Sequence, residues 1–292
     1  MGATGATGGA LLERLVTLGV PSRALSRDPD RLRAGLSEAA RPLVEVRAAD
    51  AADPASLRNA FRGASQLFLS MVNSPAQVSL ETRAIALAAE SDIRHIVKLS
   101  APAAAPHSPV AISRWHHTIE ESLRSTGLTC TVLRPYAFMQ KLVTLAPAIV
   151  ARSVILGTMG DAACNYVDCR DIGDVAAEVL MRPGLAGQTY TLTGGRTFSQ
   201  VELADLLTSL LGRRIEYLNL PPHAMHQSLV EHAGMPDWLA SHVVEIQQLA
   251  VTQPEEPTDT VSRILGGEPR TLEAFLSENI RHFQPGPVAE RT

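Results

Sequence analysis

Short apolar runs separated by amphipathic stretches dominate the first half of the chain. The runs Arg23 to Ser26, Leu43 to Arg47, Gln66 to Met71, Ile93 to Ser100 and Cys130 to Arg134 have the length and bounding residues of buried strands. Between them, apolar residues recur at helical spacing in segments that begin near Gly8, Pro54, Gln77 and Ile112. This alternation, with short connections, predicts parallel strands joined by right-handed crossovers, an α/β protein with a Rossmann-type doubly wound sheet. After about Pro135 the order loosens. Strands at Tyr190 to Thr193 and Ile215 to Leu218 stand among helical stretches at Trp238 to Leu249 and Thr271 to Phe283. Ser199-x-x-Glu202 ahead of Leu203, Leu206 and Leu207 is a capping box and predicts a helix over 200–211. The expected organisation is a dinucleotide-binding core over 1–150 and a smaller, mostly helical lobe over 151–292, with some strands returning to the core. The tail from Pro285 to Thr292 is expected to fray.

Gly2-Ala3-Thr4-Gly5-Ala6-Thr7-Gly8 fits GxxGxxG and runs into an apolar stripe, Leu11, Leu12, Leu15, Val16 and Leu18, that ends at Gly19. Glycines let the chain turn tightly and let backbone N–H groups approach a pyrophosphate, while the helix N-terminus adds about half a positive charge. On this reading Gly2, Thr4, Gly5, Ala6 and Gly8 contact a dinucleotide. Asp50 and Ala51 flank its adenine, and Ser70 stands at the end of a neighbouring strand. Asp50 equally suits a cap on the helix from Pro54. An acid after the next strand would take the ribose hydroxyls of NAD, whereas an arginine would pair with a 2′-phosphate. The residues there are Ser26-Arg27-Asp28-Pro29, so Arg27 predicts NADP(H) in preference to NAD(H). The plain alternative is a solvated arginine, and Asp28 beside it argues the other way.

Only Met1 precedes the glycines, where such a sheet has its central strand of about five or six apolar residues. The loss of that strand would leave two neighbours unpaired. The expectation is that the chain is shortened at its start, or that another segment or subunit fills the gap and the cofactor binds weakly.

Composition narrows the partners. At 45% hydrophobic and 19% charged the chain suits a soluble globular enzyme, and with only 4% aromatics its core must be Ala, Leu, Val and Ile. A formal net charge of -4 supplies no basic excess for nucleic acid or an anionic membrane. No apolar run approaches the ~18 residues of a membrane span, and positions 2–10 do not read as a signal peptide. Cys130, Cys164 and Cys169, with no CxxC, predict free thiols and a cytoplasmic location. His223, His226 and His232 make no metal site without a further ligand on the same face. The expected partners are therefore a small molecule and a nicotinamide cofactor without metal; a homodimer is compatible with the sequence.

Gly2 to Gly8, Val20 to Pro29, Val97-Lys98-Leu99-Ser100, Arg114-Trp115-His116, Leu133-Arg134-Pro135, Tyr166 to Asp171 and Tyr190 to Gly194 resemble, in order, the NmrA-like atypical short-chain dehydrogenase/reductases. The resemblance covers nearly the whole chain. It implies the fold and dinucleotide binding, and leaves open quinone and azo reduction, enone and imine reduction, and redox sensing without turnover. The Tyr-x-x-x-Lys pair of typical short-chain dehydrogenases is absent: four residues beyond the tyrosines lie Gln140, Arg170, Gly194 and Pro221. In its place the resemblance puts Trp115, His116 and His117. It implies His116 as proton donor, Ser100 and Tyr136 as groups that orient the acceptor, and Trp115 and Phe138 as substrate-lining residues. Each has a structural alternative: a cap for Ser100, core packing for the aromatics, a structural imidazole for His116 and His117. Asp168, Arg170 and Asp171 read as structural, with Asp171 capping a helix over Ile172 to Leu180 and Asp168 pairing with Arg170. The activity implied is NADPH-dependent reduction of a quinone, enone or similar conjugated molecule. The alternatives are an NADP-sensing regulator and a non-redox cyclase or isomerase.

Overall fold

A computed structural model describes residues 1–285, so the expected frayed tail lies almost wholly outside the described residues. Strand and helix alternate through the first half as α1 (Ala6–Thr17), β1 (Ser22–Ser26), α2 (Pro29–Gly35), β2 (Val44–Ala48), α3 (Pro54–Phe61), β3 (Gln66–Leu69), α4 (Gln77–Ala89), β4 (His95–Leu99), α5 (Ala111–Arg124) and β5 (Thr129–Pro135). The apolar period explains the packing: Ile112, His116, Ile119 and Leu123 fall on one face of α5 and are all buried. Helix α2 is an addition to the expected elements. Asp28, read above only as a cofactor flank, is its N-cap and accepts the Arg31 N–H at 3.0 Å, with Pro29 in the first turn.

The second half contains β6 (Ala137–Phe138), α6 (Ala146–Arg152), β7 (Val154–Gly157), β8 (Ala163–Val167), α7 (Cys169–Met181), β9 (Thr189–Leu192), β10 (Thr197–Ser199), α8 (Gln200–Leu211), β11 (Glu216–Asn219), α9 (Pro222–Glu231), α10 (Asp237–Thr252), α11 (Thr260–Leu265) and α12 (Leu272–Glu278). The capping box forms, with Ser199 and Glu202 each bonded to the other's backbone. Three details differ from expectation. The cap of α7 is Asp168, which accepts the Arg170 N–H, while Asp171 instead binds Arg270. The cap of α3 is Asp53, and Asp50 makes a local turn to Ala52 N at 2.9 Å. The 271–283 stretch breaks at Asn279, whose side chain binds the Phe275 carbonyl, and continues as a 3-10 turn, Ile280–Phe283. The second half also carries two small sheets, β10-β8-β6 and β11-β7.

Strands β3, β4, β5 and β9 form one parallel sheet in that order, so β4 has a neighbour on either side and all its residues are buried. Strands β1 and β2 pair separately. A cavity of about 780 Å³ lies between β1 and β3, lined in part by Leu11, Leu15, Leu25, Leu67 and Phe68. Met1 enters it without forming a strand: its amino group donates to the Phe68 carbonyl at 2.6 Å, and burial lowers that amine's pKa to about 5. Helix α1 packs backbone to backbone on α7, where a Cβ on Gly173 would meet Leu11 N at 2.7 Å.

Candidate active site

The glycine-rich start makes the turn its sequence calls for. Gly2 has φ +84° and lies so close to β3 that an added Cβ would sit 2.2 Å from the Ser70 carbonyl oxygen. A Cβ on Gly8 would come within 2.1 Å of Gly2 O, so no larger residue fits at either position. Gly5 donates to Gly2 O at 3.0 Å and begins α1 without a side-chain cap, leaving first-turn N–H groups available to an anion. Thr4, Gly5 and Ala6 are exposed there. The cradle fits a diphosphate. Arg27 is exposed just beyond β1, while Asp28 is engaged at the α2 cap. Asp50 and Ala51 follow β2 and Ser70 follows β3, so the expected dinucleotide residues gather at the C-terminal ends of β1, β2 and β3 and the N-terminus of α1.

A second group stands at the ends of β4 and β5. Ser100 is buried and its hydroxyl donates to Glu120 at 2.6 Å. Arg134 binds the same carboxylate through Nε at 3.0 Å and Nη2 at 2.6 Å, and Arg124 adds a second cation. Burial would raise the Glu120 pKa, but the hydrogen bonds from Arg134 and Ser100 outweigh it and hold the carboxyl below its usual range. His116 is also buried. Its Nδ1 lies 3.3 Å from Lys98 Nζ and its Nε2 lies 3.5 Å from Gln77. Burial, reinforced by the Lys98 charge, holds its pKa well below the ordinary imidazole value, so the ring is neutral at pH 7. Lys98 in turn pairs with the fully buried Glu81 at 2.8 Å. Tyr136, half-buried after β5, donates its N–H to Leu192 O at 3.0 Å. Phe138 packs against the core beneath the sheet ends. Trp115 faces Trp238 of α10, with ring centroids 6.1 Å apart and planes inclined by 42°.

Several residues near these groups escaped the sequence reading: Gln77, Glu81, Lys98, Glu120, Trp238, His242 and Glu255. Lys98 left a signal, a charge inside an otherwise apolar strand and one of only two lysines in the chain. Glu120 and Glu81 sit on helices where a buried carboxylate looks like any surface acid. Among the described residues no cluster of three His, Cys, Asp or Glu side chains could hold a metal, and no helix is long and apolar enough to cross a membrane. His226 binds Asp237 and Ser241 instead, both at 3.2 Å.

Comparison with known proteins matches residues 1–276 to the model of the NmrA-like family. The chain is 30% identical over 284 residues to an NAD(P)H azoreductase of Xenophilus azovorans, covering 97% of this chain and 98% of that one. It is 31% identical over 286 residues to a (4-alkanoyl-5-oxo-2,5-dihydrofuran-3-yl)methyl phosphate reductase of Streptomyces griseus, with 97% and 98% covered. Among solved structures, an NADPH-dependent quinone oxidoreductase of Escherichia coli in complex with NADPH superimposes with a TM-score of 0.84 at 27% identity, covering 96% of this chain and 97% of that one. With the glycine cradle, the parallel sheet and a match over nearly its whole length, the chain belongs to the NmrA-like family of Rossmann-fold proteins.

Proposed function

We propose that this protein, an NAD(P)H-dependent oxidoreductase of the atypical short-chain type, uses NADPH to reduce a quinone, an enone or a similarly conjugated small molecule. The observation that carries the cofactor reading is the turn at Gly2 and Gly8, closed to any Cβ, together with an exposed Arg27 at the end of β1 whose neighbour Asp28 is spent on a helix cap. Gly2, Thr4, Gly5, Ala6 and Gly8 would hold the diphosphate, Arg27 the 2′-phosphate, Asp50 and Ala51 the adenine side, and Ser70 the neighbouring strand end. When bound, the cofactor supplies a hydride. A conjugated acceptor suits a site without Tyr-x-x-x-Lys, because the charge that develops on it is delocalised and needs only a weak acid. Tyr136 orients the acceptor, with Phe138 and Trp115 lining its side, and Ser100 fixes the end of β4 through Glu120 and Arg134.

The buried, neutral His116 favours a positioning role over proton donation. His116→Ala is accordingly expected to lower the melting temperature, since Lys98 loses a buried partner, and to leave the pH profile of turnover in place. A profile that loses a limb in His116→Ala returns the histidine to the role of proton donor.

Incubating the protein with NADPH and a panel of quinones, enones and azo dyes, while following the absorbance of the reduced nicotinamide, tests the reading. Oxidation dependent on a conjugated acceptor supports it. Binding without oxidation across the panel favours a sensor, and no binding at all favours a non-redox activity. Cofactor choice gives a separate measure. NADPH is expected to bind more tightly than NADH, and Arg27→Ala to cost about ten- to a hundredfold in NADPH affinity, the value of one charge-assisted phosphate contact. Equal affinities for NADPH and NADH in the unmodified protein would remove Arg27 from the assignment.

A further inference from the structure

Two contacts fix which faces of α5 and α10 meet. Glu245 Oε2 accepts the Ala111 N–H at 2.8 Å and so caps α5, whose own N-cap residue, Val110, makes no side-chain cap bond. One turn along α5, Trp115 meets Trp238. The later residue of α10 thus meets the earlier residue of α5, and the helices run antiparallel. Ala111 and Trp115 are four residues apart and Trp238 and Glu245 seven, so each pair stands on one face of its helix. His242, four residues after Trp238 and three before Glu245, stands on that same face of α10, within the seam. Its Nδ1 is fully shielded from solvent and has no hydrogen-bond partner among the described residues. Buried polar atoms are seldom left so, because the lost hydration is not repaid. Burial also holds this imidazole below its ordinary pKa, so at pH 7 the ring is neutral, with one nitrogen that donates and one that accepts.

The indoles stand at the open end of the seam. Both are only partly buried, and their planes splay by 42° at a centroid distance of 6.1 Å. A flat ring sandwiched between two others needs about 7 Å, or two carbon contact distances of about 3.5 Å, so the pair has to part by only about 1 Å. The fastenings of α10 to the strand ends lie more than two turns beyond Trp238: Gln247 accepts the Thr158 N–H at 2.7 Å and Gln248 donates to the Thr158 carbonyl at 2.6 Å. Its first turn is tied instead to α9, through His226.

We propose that Trp115 and Trp238 clamp a flat, fused-ring acceptor and that His242 Nδ1 takes the oxygen it carries, an inference that rests on the reductase reading above and narrows its substrate class to multi-ring quinones. The spacing suits this. Residues four apart on a helix carry their Cβ atoms about 6 Å apart, close to the reach of a ring-borne oxygen with one hydrogen bond added. Neutral imidazole serves both ends of the reaction, because one tautomer donates from Nδ1 to a carbonyl and the other accepts there from the hydroxyl that replaces it on reduction. An open-chain enone offers the clamp no ring.

2-Naphthol, two fused rings with one hydroxyl that hydride does not reduce, probes the site without turnover. Titrated calorimetrically into the protein with NADP+, it is expected to bind about tenfold more weakly to Trp238→Ala and to His242→Phe, and within about threefold of the parent affinity to Trp238→Phe, which keeps a ring in the clamp. In protein labelled with nitrogen-15 at histidine, the His242 resonance, assigned by its loss in His242→Phe, is expected to shift as 2-naphthol is added. With turnover, the ratio of kcat/KM for a naphthoquinone to that for an open-chain enone is expected to fall about tenfold in Trp238→Ala, through KM. A 2-naphthol affinity indifferent to Trp238→Ala, an unmoved His242 resonance, or an unchanged ratio overturns the proposal and leaves the reduction of conjugated acceptors in place. Absence of turnover with every acceptor overturns the reductase reading and the acceptor role with it. The naphthol titrations tell that outcome from a failure of the clamp, since they need no turnover.

Discussion

Replacing Lys98 by Met is expected to remove about 3 to 5 kcal/mol of folding stability, the usual cost of leaving one member of a buried ion pair without its partner. Lys98 and Glu81 are both fully shielded from solvent, 2.8 Å apart, between β4 and α4. Glu81 also accepts from Gln77 at 2.9 Å, and no water can take the place of the ammonium at such depth. Pairing Lys98→Met with Glu81→Leu removes both charges and is expected to recover the loss to within about 1 to 2 kcal/mol, the remainder being the hydrogen bond lost by Gln77. Urea unfolding of the two variants and the parent measures each term. A Lys98→Met protein as stable as the parent would show that the charge is not held there in solution.

Appending a strand ahead of Gly2 is expected to have an effect of similar size and opposite sign. The cavity between β1 and β3 is bordered by strands that do not pair with each other, and a segment of five Val and Ile residues would bond to both. At about 1 kcal/mol net for each hydrogen bond and about 25 cal/mol for each Å² of apolar surface buried, a gain on the order of 5 kcal/mol is expected. For a protein of this size that corresponds to a rise of roughly 10 °C or more in Tm, with tighter NADPH binding because Gly2 would be anchored. The amine of Met1 adds a signature. In a polypeptide that begins at Met1 the amine has a pKa near 8 unfolded and about 5 folded, so the unfolded state binds more protons between those values. Stability should therefore rise as pH increases from 5 to 8, by at most about 4 kcal/mol, and the extension should abolish that slope. A shorter-tailed parent that melts no lower than the extended chain, with no such slope, would show that the strand is not needed.

The sequence reading succeeded where periodicity and backbone geometry decide the outcome. The apolar runs before Gln77 and after Ile112 could only be strands and helices of a layered sheet, and Gly2 and Gly8 admit no other residue. It fell short where a polar group is buried by its neighbours. Nothing in Ile119-Glu120-Glu121 distinguishes a carboxylate gripped by Arg134 and Ser100 from one in water, since the partners come from segments 14 to 20 residues away. Glu255 lies in a run with Glu256 between prolines, which reads as an exposed loop until the fold lays it on Asn165. The caps were misassigned by small steps, Asp171 for Asp168 and Asp50 for Asp53, because any of several nearby aspartates satisfies the same local rule.

The facing indoles of Trp115 and Trp238 make the protein its own optical gauge. They are the only tryptophans in the chain, one carried by α5 and the other by α10, and both are partly open to solvent. At their present separation the two chromophores are close enough to couple, so any sliding of α10 across α5 alters emission and near-ultraviolet dichroism together. A flat aromatic guest that parts the rings would announce itself in the light they give off, without a label and without turnover.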